Sequence, residues 1–348
     1  MPRVNPARVQ RRPAPLAEVD VAAATVAWYA TLLRAFDAFL LGMQMPVHEM
    51  FLRSDPAGVM IWAARFLQFC YDRQLFGRSE AGGFISGLRR AFRIAAVEGV
   101  FFEAGPGFNM LWRLYQGWRR LEPEEFRAPV PREMLYAIAA SCWLSGESFA
   151  TLLLLVGFHA LLRLGEMLML CFHDLVVFDD FERSHGRPPG LVRIRTAKMR
   201  GRGLGRQQFV TLRESWLCDW IARVKACLPR SRLADPIWSG TEAQFRTVWR
   251  HALAHCQLTH LRLLLGGIRG GGAVFEFLRD ENVPRVRRLG RWAREETLER
   301  YLQEGVYWTT GLRIEDGHRN LVQRLAGHLP TLIQARAPPP PERLERGS

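Results

Sequence analysis

Apolar residues recur at helical spacing through the first third of the chain, in Val26 to Gly42, Ala57 to Gly77, Ile85 to Gly99 and Asn109 to Leu121, which predicts a small helical bundle. The periodicity stops in "EPEEFRAPVPREML", where Pro123, Pro129 and Pro131 mark a linker. Two helical segments follow, Arg132 to Leu144 and the almost wholly apolar Phe149 to Cys171, the second placed at the buried centre of its domain. Strand-like runs begin at Asp174 ("DLVVF"), Leu191 ("LVRIRT") and Gln208 ("QFVTL"), the last two joined by the turn "RGRGLGR". Helices resume at Ser215, with breaks at "LPRSRLADP" and "GGIRGGG". There is no internal repeat. The fold expected is mainly α with a small β-sheet (α+β). Its divisions are a basic tail over 1–19, a helical domain over 20–122, a linker over 123–131, a second domain over 132–322, and a C-terminal helix with a proline-rich tail over 323–348.

Composition narrows the class. Of 348 residues, 48% are hydrophobic and 24% charged, the profile of a globular rather than a disordered or fibrous chain. Met1 to Pro15 and Ala337 to Ser348 are proline-rich and charged, and are expected to be mobile. The net charge of +14 points to a polyanionic partner. A GC-rich genome inflating arginine is the bland alternative, but the cations cluster. One group holds Arg193, Arg195, Lys198, Arg200, Arg202 and Arg206; the other holds Arg279, Arg285, Arg287, Arg288, Arg291, Arg294 and Arg300. The six cysteines form no CxxC pair and read as reduced core residues, so no metal is expected. No apolar leader follows the first basic residues, and the uncharged stretch Phe149 to Leu162 is too short to span a bilayer. An intracellular protein with no membrane partner is the expectation.

Four features stand out chemically. Arg163 and Glu166 lie three residues apart in apolar sequence, where a guanidinium needs a partner or a ligand. Lys198 is one of only two lysines, and a lysine, unlike arginine, can release a proton near neutral pH. Arg269 stands among glycines that permit close backbone approach, and a helix beginning near Gly270 would aim its N–H groups at an anion. Tyr301 follows a helical turn of mixed charge. Singly, each has an ordinary structural reading: an ion pair, a chance retention, a loop-to-helix junction, an amphipathic packing residue.

In order along one domain, these residues resemble the catalytic domain of the tyrosine recombinases, the phage-integrase family. "ALLRLGEMLMLCFHDL" looks like the family's first box, with Arg163 as catalytic arginine, Glu166 as supporting acid and Asp174 closing the motif. "LVRIRTAK" with "RQQFVTL" is similar to its lysine hairpin, "IRGGGA" to its second arginine box, and "RRLGRWAREETLERYL" to its final box with the nucleophile. The first helical domain resembles the family's SAM-like core-binding domain, so the likeness covers roughly residues 20 to 320.

The resemblance implies that Arg163 and Arg269 clamp the nonbridging oxygens of a DNA phosphate, Tyr301 attacks phosphorus, and Lys198 protonates the departing 5′-hydroxyl. A 3′-phosphotyrosyl intermediate conserves the bond, so neither metal nor nucleotide cofactor is implied. Arg193, Arg195, Arg200, Arg202, Arg206, Arg287 and Arg288 are the expected DNA contacts. Double-stranded DNA and other copies of the chain, in a synaptic tetramer, are the implied partners; the location is nuclear in a eukaryote, otherwise cytoplasm or nucleoid.

The chain departs from the family at Gly266, where a histidine or lysine usually stands three residues before the second arginine. Trp292, nine residues before Tyr301, matches the next conserved position, with Arg291 fitting one residue worse. Losing one general base slows catalysis by about two to four orders of magnitude. Slow strand transfer is therefore expected, with a DNA-binding protein that no longer cuts as the alternative. A third reading is a helical interaction module whose charge reflects only codon usage.

Overall fold

The computed structural model describes residues 21–97, 105–122, 127–195 and 208–335. The chain forms two compact units, 1–125 and 126–348. The first is a bundle of α1 (Ala23–Gly42), α2 (His48–Ser54), α3 (Pro56–Asp72), α4 (Arg78–Val97) and α5 (Gly105–Leu121). Its core is aromatic: Phe66 meets Phe84 edge-on at 5.0 Å and packs tilted against Phe36 at 5.2 Å. Helix α2 is an element that periodicity does not reveal, because seven residues are too few to establish a period. It is anchored by Asp37, which accepts from the His48 backbone N–H at 2.7 Å and lies 2.8 Å from the ring Nδ1. Asp55 caps α3 by accepting from the Gly58 N–H at 2.9 Å, with Pro56 at the first helical position. Among the described residues α1 alone is long and apolar enough to cross a membrane. It carries Arg34 and Asp37 and turns Leu32, Phe36 and Leu40 into the bundle core.

The second unit is built around α6 (Arg132–Leu144) and α7 (Ser148–His159), both nearly all apolar and buried. The long segment expected as one helix to Cys171 is instead two. The chain reverses at Leu161, in left-handed conformation (φ 49°), and restarts as α8 (Leu164–Leu168). A three-stranded antiparallel sheet follows, in the order β1 (Leu175–Val177), β2 (Gly190–Ile194), β3 (Gln208–Leu212), with α9 (Asp180–Ser184) between the first two strands. Val192 pairs with Leu175 on one side and Val210 on the other, which sends Val192, Ile194, Val210 and Leu212 into the core. Helices α10 (Ser215–Cys227), α11 (Glu242–His255), α12 (Gly267–Asp280), α13 (Val283–Gly290), α14 (Glu295–Glu299), α15 (Glu304–Leu312) and α16 (Asp316–Ala335) complete the unit. The protein is thus mainly helical with one small sheet.

Helix α16 packs along α6 and buries Val322, Leu329 and Ile333, so the division expected at 322 falls inside a continuous helix. Five of the six free cysteines are buried as expected; Cys227, at the end of α10, is exposed.

Candidate functional site: guanidinium groups beside Tyr301

The reversal at Leu161 creates the first part of the site. Arg163 is extended (φ −76°, ψ 154°) and stands at the N-cap of α8 rather than inside a helix. Glu166, one turn on, accepts from the Arg163 backbone N–H at 2.9 Å and from its Nη1 at 2.8 Å. The Glu166 Oε2 that takes the Arg163 backbone N–H also accepts from Nη2 of Arg291 at 2.8 Å, and that nitrogen donates as well to the Leu161 carbonyl at 3.0 Å. One buried carboxylate therefore fixes two guanidinium groups. Burial pushes the Glu166 carboxyl up, but Arg291 and the charge and hydrogen bonds of Arg163 outweigh it, and its pKa falls below the ordinary 4.5. The Arg163 side chain remains 35% exposed, free to meet a ligand, whereas that of Arg291 is only 10% exposed.

Helix α12 brings Arg269. It begins at Gly267, so Gly270 lies inside the helix, and its N–H is not the open anion-binding end that the glycine run suggested. The glycines serve approach instead. A Cβ at Gly267 would strike the Ala128 carbonyl, one at Gly271 the Val130 carbonyl, and one at Gly272 the Phe158 carbonyl. Segment 127–130 thereby lies directly along α12, with the Val130 N–H donating to the Gly267 carbonyl at 3.0 Å.

Arg269 is 3% exposed, and its Nη2 donates to the Gly290 carbonyl. Its Cζ sits 4.8 Å from the centre of the Trp292 ring and 5.7 Å from that of Tyr301. The two rings are themselves 5.0 Å apart. Gly290 is needed here, because a Cβ would enter the Trp292 ring. Tyr301 occupies the turn between α14 and α15, not a helix, half-buried in a small apolar cluster with Leu161, Trp292 and Leu298. Nε and Nη1 of both Arg269 and Arg291 are buried without a hydrogen-bond partner. Burial, then the charges of Arg163 and Arg291, push the Arg269 pKa down to about 9, opposed by Tyr301 and Glu166. The site thus gathers desolvated positive charge whose donors are not all partnered.

The structure therefore gathers Arg163, Glu166, Arg269, Arg291, Trp292 and Tyr301. Lys198, Arg200, Arg202 and Arg206 lie outside the described residues. Asp174 sits elsewhere: it is buried at the root of the sheet and accepts from the Cys171 N–H at 3.1 Å, Arg193 Nε at 3.0 Å and Arg195 Nε at 2.6 Å. Among the described residues it bonds none of the guanidiniums around Glu166, so it braces the strand instead of the cluster. Arg193 and Arg195 are correspondingly tethered, with side chains 30% and 41% exposed. On α13, Arg288 is exposed and Arg287 lies 3.8 Å from Glu295. Arg127, which the sequence hides in a proline-rich stretch, lies against Gly266 at the head of α12.

Fold and site together define a mainly helical, two-unit protein with a cluster of guanidinium groups beside an aromatic hydroxyl. No family model matches the sequence, and no curated protein does. Among solved structures the chain is similar to the XerA recombinase, at 12% identity over 84% of this chain and 96% of that one, with a TM-score of 0.33. That likeness is too low to transfer any residue's role.

Proposed function

We propose that the protein is a DNA strand transferase of the tyrosine-recombinase type, acting on duplex DNA through a 3′-phosphotyrosyl intermediate. The observation that carries this reading is the meeting of Arg163, Arg269 and Arg291 beside Tyr301, with unpartnered donors on the two buried guanidiniums. A nonbridging phosphate oxygen supplies what those donors lack, and a pentacoordinate transition state, carrying more charge there, supplies it better. The Tyr301 oxygen forms its bond to phosphorus as the bond to the 5′-oxygen breaks. The phenolic proton passes to water, since Gly266 offers no side-chain base, and Lys198 protonates the leaving 5′-oxygen. Attack by a second 5′-hydroxyl reverses the sequence and rejoins a strand. No metal or nucleotide is required by this scheme. It carries with it an intracellular, DNA-associated location and assembly of several copies on DNA.

The test is incubation with a duplex nicked beside the cleavage point, so that the cut piece diffuses away. A covalent protein–DNA adduct that disappears in Tyr301→Phe is the expected result. Gly266 also favours a second reading, a DNA-binding protein that has lost cleavage. Salt-sensitive duplex binding with no adduct would select that reading, and absence of binding would defeat both.

A further inference from the structure

The guanidinium of Arg127 fills the space of the side chain that Gly266 lacks. A Cβ built on Gly266 would lie 2.5 Å from Nη1 of Arg127, 3.0 Å from its Cδ and 3.3 Å from its Cζ, so the arginine lies flat across that glycine. Gly266 has helical backbone angles (φ −64°, ψ −20°), which puts it on the same face as positions 269 and 270 one turn on. Tyr301 borders that face too, its Cδ1 lying 3.8 Å from a Cβ built on Gly270. Arg127, Arg269 and Tyr301 thus lie along one edge of α12.

Among the described residues nothing neutralises Arg127, which has no ion pair or hydrogen bond there, and the residue is exposed. It is nevertheless held at the positive end of a 14-residue helix, a place unfavourable for a cation unless an anion joins it. Its backbone is fixed, since the next residues run along the glycine face of α12 and Val130 bonds Gly267. A guanidinium placed over Gly266, one helical turn before Arg269 whose Nε and Nη1 lack partners, marks a binding position for phosphate.

We infer that Arg127 is a phosphate-contacting residue of this site, supplied by the segment before α6, and that it grips the same phosphate as Arg269. The inference rests on the strand-transfer reading above. In this chain the missing side chain at 266 is then the condition for the contact, because any larger residue would eject the guanidinium.

Full-length Arg127→Ala, Gly266→Ala and the double variant test this by two readouts: the salt dependence of duplex binding, measured in the Tyr301→Phe background, and the single-turnover rate of adduct formation at saturating DNA. Arg127→Ala should lower the slope of log affinity against log salt by about 0.9 and slow the adduct by about 100-fold. Arg127→Lys, which keeps the charge without the fork, should restore the slope and only part of the rate. Gly266→Ala should act in the same direction by displacing the guanidinium. The double variant should be no worse than Arg127→Ala, since the displaced group is already gone. Arg127 is exposed, so its variants should unfold at the wild-type midpoint, which separates lost contact from lost fold.

A lowered slope with an unchanged rate would place Arg127 on a neighbouring phosphate and overturn the assignment, as would additive losses in the double variant. Wild-type binding and cleavage with Arg127→Ala indistinguishable from it would sink this inference alone. A wild type that neither binds nor cleaves would take the strand-transfer reading down with it.

Discussion

Arg269 is held where a cation is least at ease, and that discomfort is measurable. At about 9 its pKa still leaves it charged at neutral pH, so the protein carries a desolvated guanidinium whose Nε and Nη1 lack partners. The folded state disfavours that charge, so the penalty is complete at pH 7 and is relieved as pH rises through about 9. Arg269→Met, which keeps the volume, should therefore unfold in urea at a midpoint equal to or above wild type, by about 1 kcal/mol. Inorganic phosphate should raise the wild-type midpoint and leave the variant unmoved. A variant much less stable than wild type would show that Arg269 is a structural brace. Glu166 has the opposite sign. Its depressed pKa contributes stability present above the unfolded value near 4.5 and lost as pH falls through the folded value. Glu166→Gln leaves Arg163 and Arg291 without their shared anion, a loss of about 3 kcal/mol at pH 7. Its stability should also vary less than wild type's in the acid range below pH 4.5, as followed by urea unfolding at several pH values. These two residues were legible in the sequence because charged residues in apolar runs announce themselves. Arg291 fits the spacing less well than Trp292, yet it bonds the Leu161 carbonyl from 130 positions away, a tertiary fact with no local signature.

At the scale of elements, the helix period and the strand alternation located the bundle, the sheet and most helices. The misses are where local geometry departs from period. Leu161 is an ordinary apolar residue adopting φ 49°, so the sequence reads through the reversal that exposes Arg163. Tyr301 reads as helical because α14 precedes it, but that helix ends at Glu299. The glycines of α12 were legible as close approach and not legible as to what approaches, since the segment 127–130 was expected only as linker. Alanine substitutions separate these roles. Gly271→Ala drives a methyl into the Val130 carbonyl and should destabilise by about 3 kcal/mol. Gly327→Ala, in α16, meets nothing within 4 Å and should stabilise by about 0.5–1 kcal/mol from helix propensity alone. Equal effects in thermal unfolding would mean that α12 has room to move away from its neighbour.

For the molecule as a whole, the least obvious dependency is on its last helix. Helix α16 lies along α6, which also packs against α7 and α11, so it closes one side of the core that carries the site. Val322, Leu329 and Ile333 are each no more than 2% exposed. Arg223 holds the end of the helix, donating from Nη1 to the Gln334 carbonyl at 2.9 Å and from Nη2 to the Ile333 carbonyl at 3.2 Å. Burying three such side chains contributes about 1.5–3 kcal/mol apiece, together comparable with the roughly 5–15 kcal/mol that keeps an entire domain folded. A chain ending at Glu315 should therefore lose cooperative unfolding of its second unit. Adding the missing segment as a peptide should restore the transition, with a midpoint that rises with peptide concentration. The same arithmetic governs assembly. If copies on DNA exchange this helix, each must receive another's in return, because the groove on α6 cannot stand open. The exchanged form would then be a closed assembly whose melting depends on protein concentration. A truncated chain that melts like wild type without peptide would show that α16 is dispensable to the unit, and would free the helix for a partner without any such exchange.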